Sequence, residues 1–197
     1  MLKKIKRSFR RRKFSRIAMQ DENLMLDLGS GGPGRSGTLG IDLNPAADII
    51  WDLQDNLPLP DNCVVKIFSD HFFEHLDPLI MLNLLKECRR VLKQDGILRF
   101  TVPHLDPYLQ LYLEDNAVKL SEMIYDVPKD YDEIFDTAWG RISWLLYRNG
   151  EHRGAYDSKS IKHIVRLAGF TNVRQTSFNS DLDRNMRNSS IYIEAWN

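Results

Sequence analysis

Nine consecutive residues, Gly29-Ser30-Gly31-Gly32-Pro33-Gly34-Arg35-Ser36-Gly37, constrain this chain more than any other stretch. They follow a strand-like run, Leu24 to Leu28, and precede a second, Thr38 to Leu43, which carries Asp42 near its end. A strand, a glycine turn and an acid on the next strand form a nucleotide-binding arrangement, because the backbone can approach the ligand closely and the carboxylate takes ribose hydroxyls. The spacing narrows the choice of nucleotide. A dinucleotide site needs a helix after the glycines to hold a pyrophosphate, with its acid ~20 residues further on. Here Asp42 lies only eight residues beyond Gly34. Nine residues rise roughly 13 Å as a helix but reach roughly 30 Å extended, so the first crossover is expected to be extended, without a full helix. An adenosine lacking phosphates then fits over Gly29, Ser30, Gly31 and Gly34 with its ribose on Asp42. The plain alternative is a tight loop that binds nothing.

Beyond Asp42 the chain alternates short apolar runs with helical patterns, which predicts a layered α/β fold with a mostly parallel sheet. Strands are expected at Asp48 to Leu53, Val64 to Ser69 and Ile97 to Val102. Met81, Leu84, Leu85, Cys88, Val91 and Leu92 recur at steps of three and four, predicting an amphipathic helix from Pro78 to Lys93. Residues 104–150, rich in aromatics and acids, have helical patches around Tyr108 to Met123 and Glu133 to Tyr147 and are expected to form a lid-like insertion over one end of the sheet. A helix from Asp157 to Gly169, capped by Asp157 or Ser158, and strands at Asn172 to Phe178 and Ser190 to Ala195 close the chain.

Net charge is zero, but nine of the 27 basic residues lie in residues 1–20 with no acid among them. The boundary read from this is a basic tail or helix at 1–20 and one domain at 21–197. Such a tail suits an anionic partner: a membrane surface, nucleic acid or the acidic body itself. It lacks the apolar stretch of a signal peptide, and no run approaches the ~20 apolar residues of a membrane span. Cys63 and Cys88 form no CxxC pair, so neither a disulfide framework nor a structural zinc site is indicated, and a reducing cytoplasm is the expected compartment.

Further motifs, in order, carry a resemblance. Leu26-Asp27-Leu28-Gly29-Ser30-Gly31, Gly40-Ile41-Asp42-Leu43, Leu57-Pro58-Leu59-Pro60-Asp61-Asn62, Ser69-Asp70-His71-Phe72-Phe73-Glu74-His75-Leu76 and Arg90-Val91-Leu92-Lys93 are similar to the class I S-adenosylmethionine-dependent methyltransferases. The likeness is to a small type-11-like group with a shortened first crossover, some of whose members modify sugars and polysaccharides, and it covers about residues 24–195. Val65, where that group usually has Asp, and Gln94-Asp95-Gly96, in place of Pro-Gly-Gly, depart from it. The resemblance implies a Rossmann-like methyltransferase fold: a mostly parallel sheet with helices on both faces and a terminal antiparallel strand. It implies S-adenosylmethionine as cofactor, bound without a metal by Asp27, Gly29, Ser30, Gly31, Gly34, Asp42, Leu43, Asp52, Leu53, Ser69, Asp70 and His71.

Methyl transfer from a sulfonium is an in-line displacement, so the enzyme must chiefly align donor and acceptor. A sugar hydroxyl also needs a base, and imidazole suits that near neutral pH. His104, leaving the fifth strand with Asp106 nearby, is the first candidate; His71 and His152 follow, each with a structural alternative. Glu74 divides evenly between a helix-start acid and a functional one. Tyr108, Tyr112, Tyr125, Tyr131, Trp139, Trp144 and Tyr147 either pack the insertion's own core or face the acceptor. The expected activity is methylation of a saccharide or glycolipid hydroxyl, with residues 1–16 touching anionic membrane at its inner face. RNA or small-metabolite methylation and a non-catalytic cofactor-binding role are the alternatives.

Overall fold

The computed structural model describes residues 11–16, 20–124, 126–184, 186 and 189–197. Seven strands, β1 (Met25–Leu28), β2 (Leu39–Asp42), β3 (Ile49–Ile50), β4 (Val64–Asp70), β5 (Leu92–Pro103), β6 (Asn172–Thr176) and β7 (Ser190–Trp196), form one sheet in the order β3-β2-β1-β4-β5-β7-β6. β1 to β5 are parallel, and β7 runs antiparallel to both β5 and β6. None of residues 29–38 is helical, so the first crossover is extended as its length requires.

Helix α1 (Pro78–Val91) starts at Asp77, whose carboxylate accepts from Leu79 N, and buries the stripe Met81, Leu84, Leu85, Cys88 and Val91. β5 begins at Leu92, earlier than expected, because Leu92 pairs with Val64 before the register resumes at Lys66 and Ile97. β3 is shorter than expected: the Asp52 carboxylate accepts from Gln54 N and turns the chain away. The first expected helical patch splits into α2 (Asp106–Leu113) and α3 (Ala117–Met123), a short α4 (Lys129–Asp132) precedes the second patch, and that patch is helical only from Ala138, as α5 (Ala138–Tyr147). Asp115, at φ 52, ends the first turn and Asn116 caps α3. Tyr108, Leu120, Ile124, Ile142 and Trp144 form a separate small core there, so Tyr108 and Trp144 pack the insertion, while Trp139 and Tyr147 are exposed. Tyr125 lies outside the described residues. Helix α6 (Ser158–Leu167) opens on a capping box from Asp157 and Ser160, whose hydrogen bonds hold the Asp157 carboxyl below its usual value.

The register assigns different chemistry to the two sheet faces, since residues directly opposite on neighbouring strands share a face. Leu26, Ile67, Leu98 and Ala195 make one row and Leu28, Ser69, Phe100 and Ile193 another; their apolar members are buried in one cluster with the inner stripes of α1 and α6, which touch each other. The next row on the opposite face reads Asp27, Phe68, Arg99, Glu194, Arg174. Crossovers that run in opposite directions along a sheet and share one hand cover opposite faces. The face that the β1–β2 and β2–β3 connections would cover therefore receives turns rather than helices. Residues 177–184 pass over it: Arg99 donates to Asp183 Oδ1 (2.7 Å), Glu194 Oε1 (2.7 Å) and Ser177 O (2.9 Å).

The sheet core begins before residue 21. Residues 11–16 are helical, Phe14 is fully buried against Trp51 with ring centroids 6.1 Å apart, and Ser15 Oγ donates to Pro58 O at 2.6 Å. Residues 1–10 and 17–19 of the expected tail fall outside the described residues. No helix among the described residues is long and apolar enough to cross a membrane.

Candidate active site

The carboxyl ends of β1 to β4 bring Gly29, Ser30, Gly31, Asp42, Leu43, Asp52, Leu53, Ser69, Asp70 and His71 to one edge of the sheet. Gly29 and Gly31 have φ +66 and +67, and a Cβ on Gly29 would fall 2.2 Å from the Phe72 ring, whereas Gly31 and Gly32 face open space. Asp42 shapes this rim: Oδ2 accepts from Gly31 N (2.9 Å) and Oδ1 from Asn44 N (2.8 Å). A carboxylate has about four acceptor positions, so both oxygens keep one for a ligand. Asp42, Leu43, Trp51, Asp52, Leu53, Gln54, Phe72 and Leu76 line a cavity of about 100 Å³ beside it. An acid with spare acceptors beside an apolar, aromatic-walled hollow and an open glycine backbone fits an adenosine.

Three expected residues hold the frame of this edge with their polar groups. Asp27 is buried beneath the loop, taking Arg35 N (3.0 Å), Arg35 Nε (3.1 Å) and Arg184 Nη2 (2.7 Å), so its reach to the open side runs through those arginines. Gly34 faces inward, where a Cβ would fall 2.6 Å from Gly40 N, and both amides donate to Asp48 Oδ2. Ser69 spends its hydroxyl on Leu28 O (3.0 Å), tying β4 to β1.

His71 leaves β4 at φ 50. Its Nδ1 lies 3.2 Å from Glu74 Oε1 and its Nε2 2.8 Å from Ser190 Oγ. With the ring proton on Nδ1 facing the carboxylate, Nε2 is a lone-pair acceptor. Asp70, beside it, accepts from Thr101 Oγ1 at 2.6 Å. His71 and His152 both line a larger cavity of about 410 Å³, bounded by Tyr108, Lys119, Glu122 and Arg148 among others. Burial pushes the His152 imidazole below its usual pKa, and its Nδ1 lies 2.8 Å from Leu145 O. Burial, then the Glu74 charge, pushes Tyr156 up to about 12. His104 is not part of that lining: its Nε2 meets the exposed carboxylate of Asp106 at 3.1 Å, and its backbone N–H donates to Ser189 O. His163 lies within α6.

Residues 38–100 match a family model described as a methyltransferase domain. The fold is that of the class I S-adenosylmethionine-dependent methyltransferases, whose cofactor is S-adenosylmethionine. In fold it is similar to a SAM-dependent methyltransferase from Archaeoglobus fulgidus, at 16% identity over 96% of this chain and 93% of that one with a TM-score of 0.53. A SAM-dependent methyltransferase from Thermotoga maritima, described as a possible histamine N-methyltransferase, shares 16% identity over 98% and 95% with a TM-score of 0.51. PigF with SAH shares 15% over 88% of this chain, which spans 56% of that protein, with a TM-score of 0.50. No curated protein matches the sequence.

Sequence reasoning missed Arg35, Arg184, Phe72 and Ser190. Arg184 also donates to Ser30 O (3.2 Å) and Pro33 O (3.0 Å), clasping the loop from more than 150 positions away. Such long-range partners leave no local pattern; only the glycine at 29, which Phe72 demands, left a mark.

Proposed function

We propose that the protein transfers the methyl group of S-adenosylmethionine to a hydroxyl of a saccharide or glycolipid bound in the 410 Å³ cavity, with His71 accepting the proton. The observation that carries this reading is the position of His71, directly after the strand that pairs with β1 and in the wall of the larger cavity, with Nδ1 on a buried carboxylate. S-adenosylmethionine supplies an electrophilic methyl on a sulfonium. Asp42 takes the ribose diol, Asp52 and Leu53 border the adenine, and Gly29 to Gly31 with Asp70 border the methionine portion. An acceptor hydroxyl attacking that methyl would lose its proton toward His71 Nε2 through the Ser190 hydroxyl that Nε2 meets at 2.8 Å, Ser190 taking the acceptor's proton as it gives up its own. Lys119, Glu122, Asp126 and Arg148, all lining the cavity, offer both donors and acceptors to a polyhydroxylated acceptor.

Incubation of the full chain with labelled S-adenosylmethionine and glycan, glycolipid, RNA and metabolite fractions, followed by mass identification of the product, tests this. Label in a glycan hydroxyl is the expected outcome, and label confined to RNA overturns the acceptor class. Asp42→Ala should weaken cofactor binding by about 1.5–3 kcal/mol in a folded protein; calorimetry with unchanged affinity would remove Asp42 from the site. Arg11, Arg12, Lys13 and Arg16 are exposed around buried Phe14, which supports membrane contact at the inner face through this end of the chain. Because Phe14 belongs to the core, the informative truncation removes residues 1–10 only. That variant should keep its thermal midpoint and lose most of its binding to phosphatidylserine vesicles at low salt, where each charge near the surface contributes ~1 kcal/mol. Full binding by the truncated protein would sink the idea.

A further inference from the structure

The turn Phe73–His75 and the segment after the insertion are stitched together: Glu74 O accepts from Arg153 N (2.8 Å) and Gly154 N (3.1 Å). This sets the His75 and His152 rings edge to face at 4.9 Å. One donor atom from each of Glu74, His75 and His152 lies within 4.8 Å of the others. Both imidazoles engage a backbone carbonyl through Nδ1, His75 with Glu151 O (3.1 Å) and His152 with Leu145 O (2.8 Å). The Nδ1 atoms therefore carry the protons and each Nε2 keeps its lone pair, the arrangement by which outer carbonyls orient metal-binding histidines. Glu74 is 1% exposed; its Oε1 faces His71, and its Oε2 is buried with no hydrogen-bond partner. A bare buried carboxylate oxygen, on a residue clustered with two imidazoles that each keep Nε2 as an acceptor, is a costly arrangement unless a cation joins them.

We propose that Glu74, His75 and His152 bind one zinc ion. Two imidazoles and one carboxylate suit zinc and leave a fourth position open, whereas calcium and magnesium prefer all-oxygen sets. Zinc distances of about 2.0–2.2 Å bring tetrahedral donors to about 3.4 Å from one another; the half-exposed His75 ring has room to make that movement. Glu74 would then bridge, one oxygen on the ion and one on His71 Nδ1, so the ion is a positioning group for the proton acceptor. That last role rests on the methyl-transfer reading; ion binding itself does not, and it is measured without turnover.

The untagged full chain, stripped with a chelator, should take up one equivalent of zinc by calorimetry, and cobalt substitution should give the visible bands of a four-coordinate site. His75→Ala, at a half-exposed position that should fold normally, should weaken zinc binding by more than about 100-fold, beyond the 10–100-fold cost of losing an outer partner. Glu74→Gln should do the same, and Cys63→Ser should change nothing. Failure of the stripped protein to bind zinc, or uptake unaltered by His75→Ala, overturns the site. Zinc uptake with normal turnover in a His71 variant would instead leave the ion in place and remove the proposed proton acceptor.

Discussion

Replacing His71 with glutamine should lower turnover by about 10²–10⁴-fold while leaving S-adenosylmethionine affinity within a few-fold of the parent. Glutamine can still hydrogen-bond toward Glu74 and Ser190, the two partners of the ring, but it cannot take the acceptor's proton. The matched control is His104→Gln. That residue touches Asp106 and is not among the residues lining the larger cavity, so its turnover should stay within a few-fold. Single-turnover rates at saturating cofactor separate the chemical step from binding. The opposite pattern, with loss confined to His104, would restore the residue that leaves the fifth strand as the base.

Arg99→Met should destabilise the fold by about 3–5 kcal/mol, measured by denaturant titration with an unchanged slope. Arg99 is 3% exposed and joins two carboxylates from different parts of the chain, Asp183 and Glu194. Burial works against its charge, and the hydrogen bonds and charges of Asp183 and Glu194 outweigh it, so the guanidinium is held protonated. Methionine keeps most of the volume but leaves buried Asp183 without its cation and Glu194 with only the exposed Arg174 on its other oxygen. A loss under about 1 kcal/mol would mean that water already carries this charge, as at a surface pair.

How much of this was readable in advance depended on range. The extended first crossover followed from the distance between Gly34 and Asp42, a local constraint, and α1 from a stripe of apolar residues at helical spacing. The short β3 and the broken insertion helices were harder, because single residues decided them: Asp52 turns one chain segment and Asp115 ends one helix. The order of histidine candidates was the least readable. His104 stood out through its neighbour Asp106, but the features that favour His71 are a carboxylate three residues on and a hydroxyl at position 190. The Glu74-His75 pair was visible; its completion by His152 depended on how the insertion returns to the sheet.

The row Asp27, Phe68, Arg99, Glu194, Arg174 has a thermal consequence. A helix layer would have covered this face with apolar side chains, and their exposure on unfolding raises heat capacity, whereas polar exposure lowers it. A face closed by guanidinium–carboxylate contacts therefore contributes less than its area to the heat-capacity change, and the protein's stability curve is flatter than an all-apolar sheet of this size would give. The dehydration cost of such pairs also falls on warming, so this side of the sheet loses less of its cohesion with temperature than the side packed on α1 and α6.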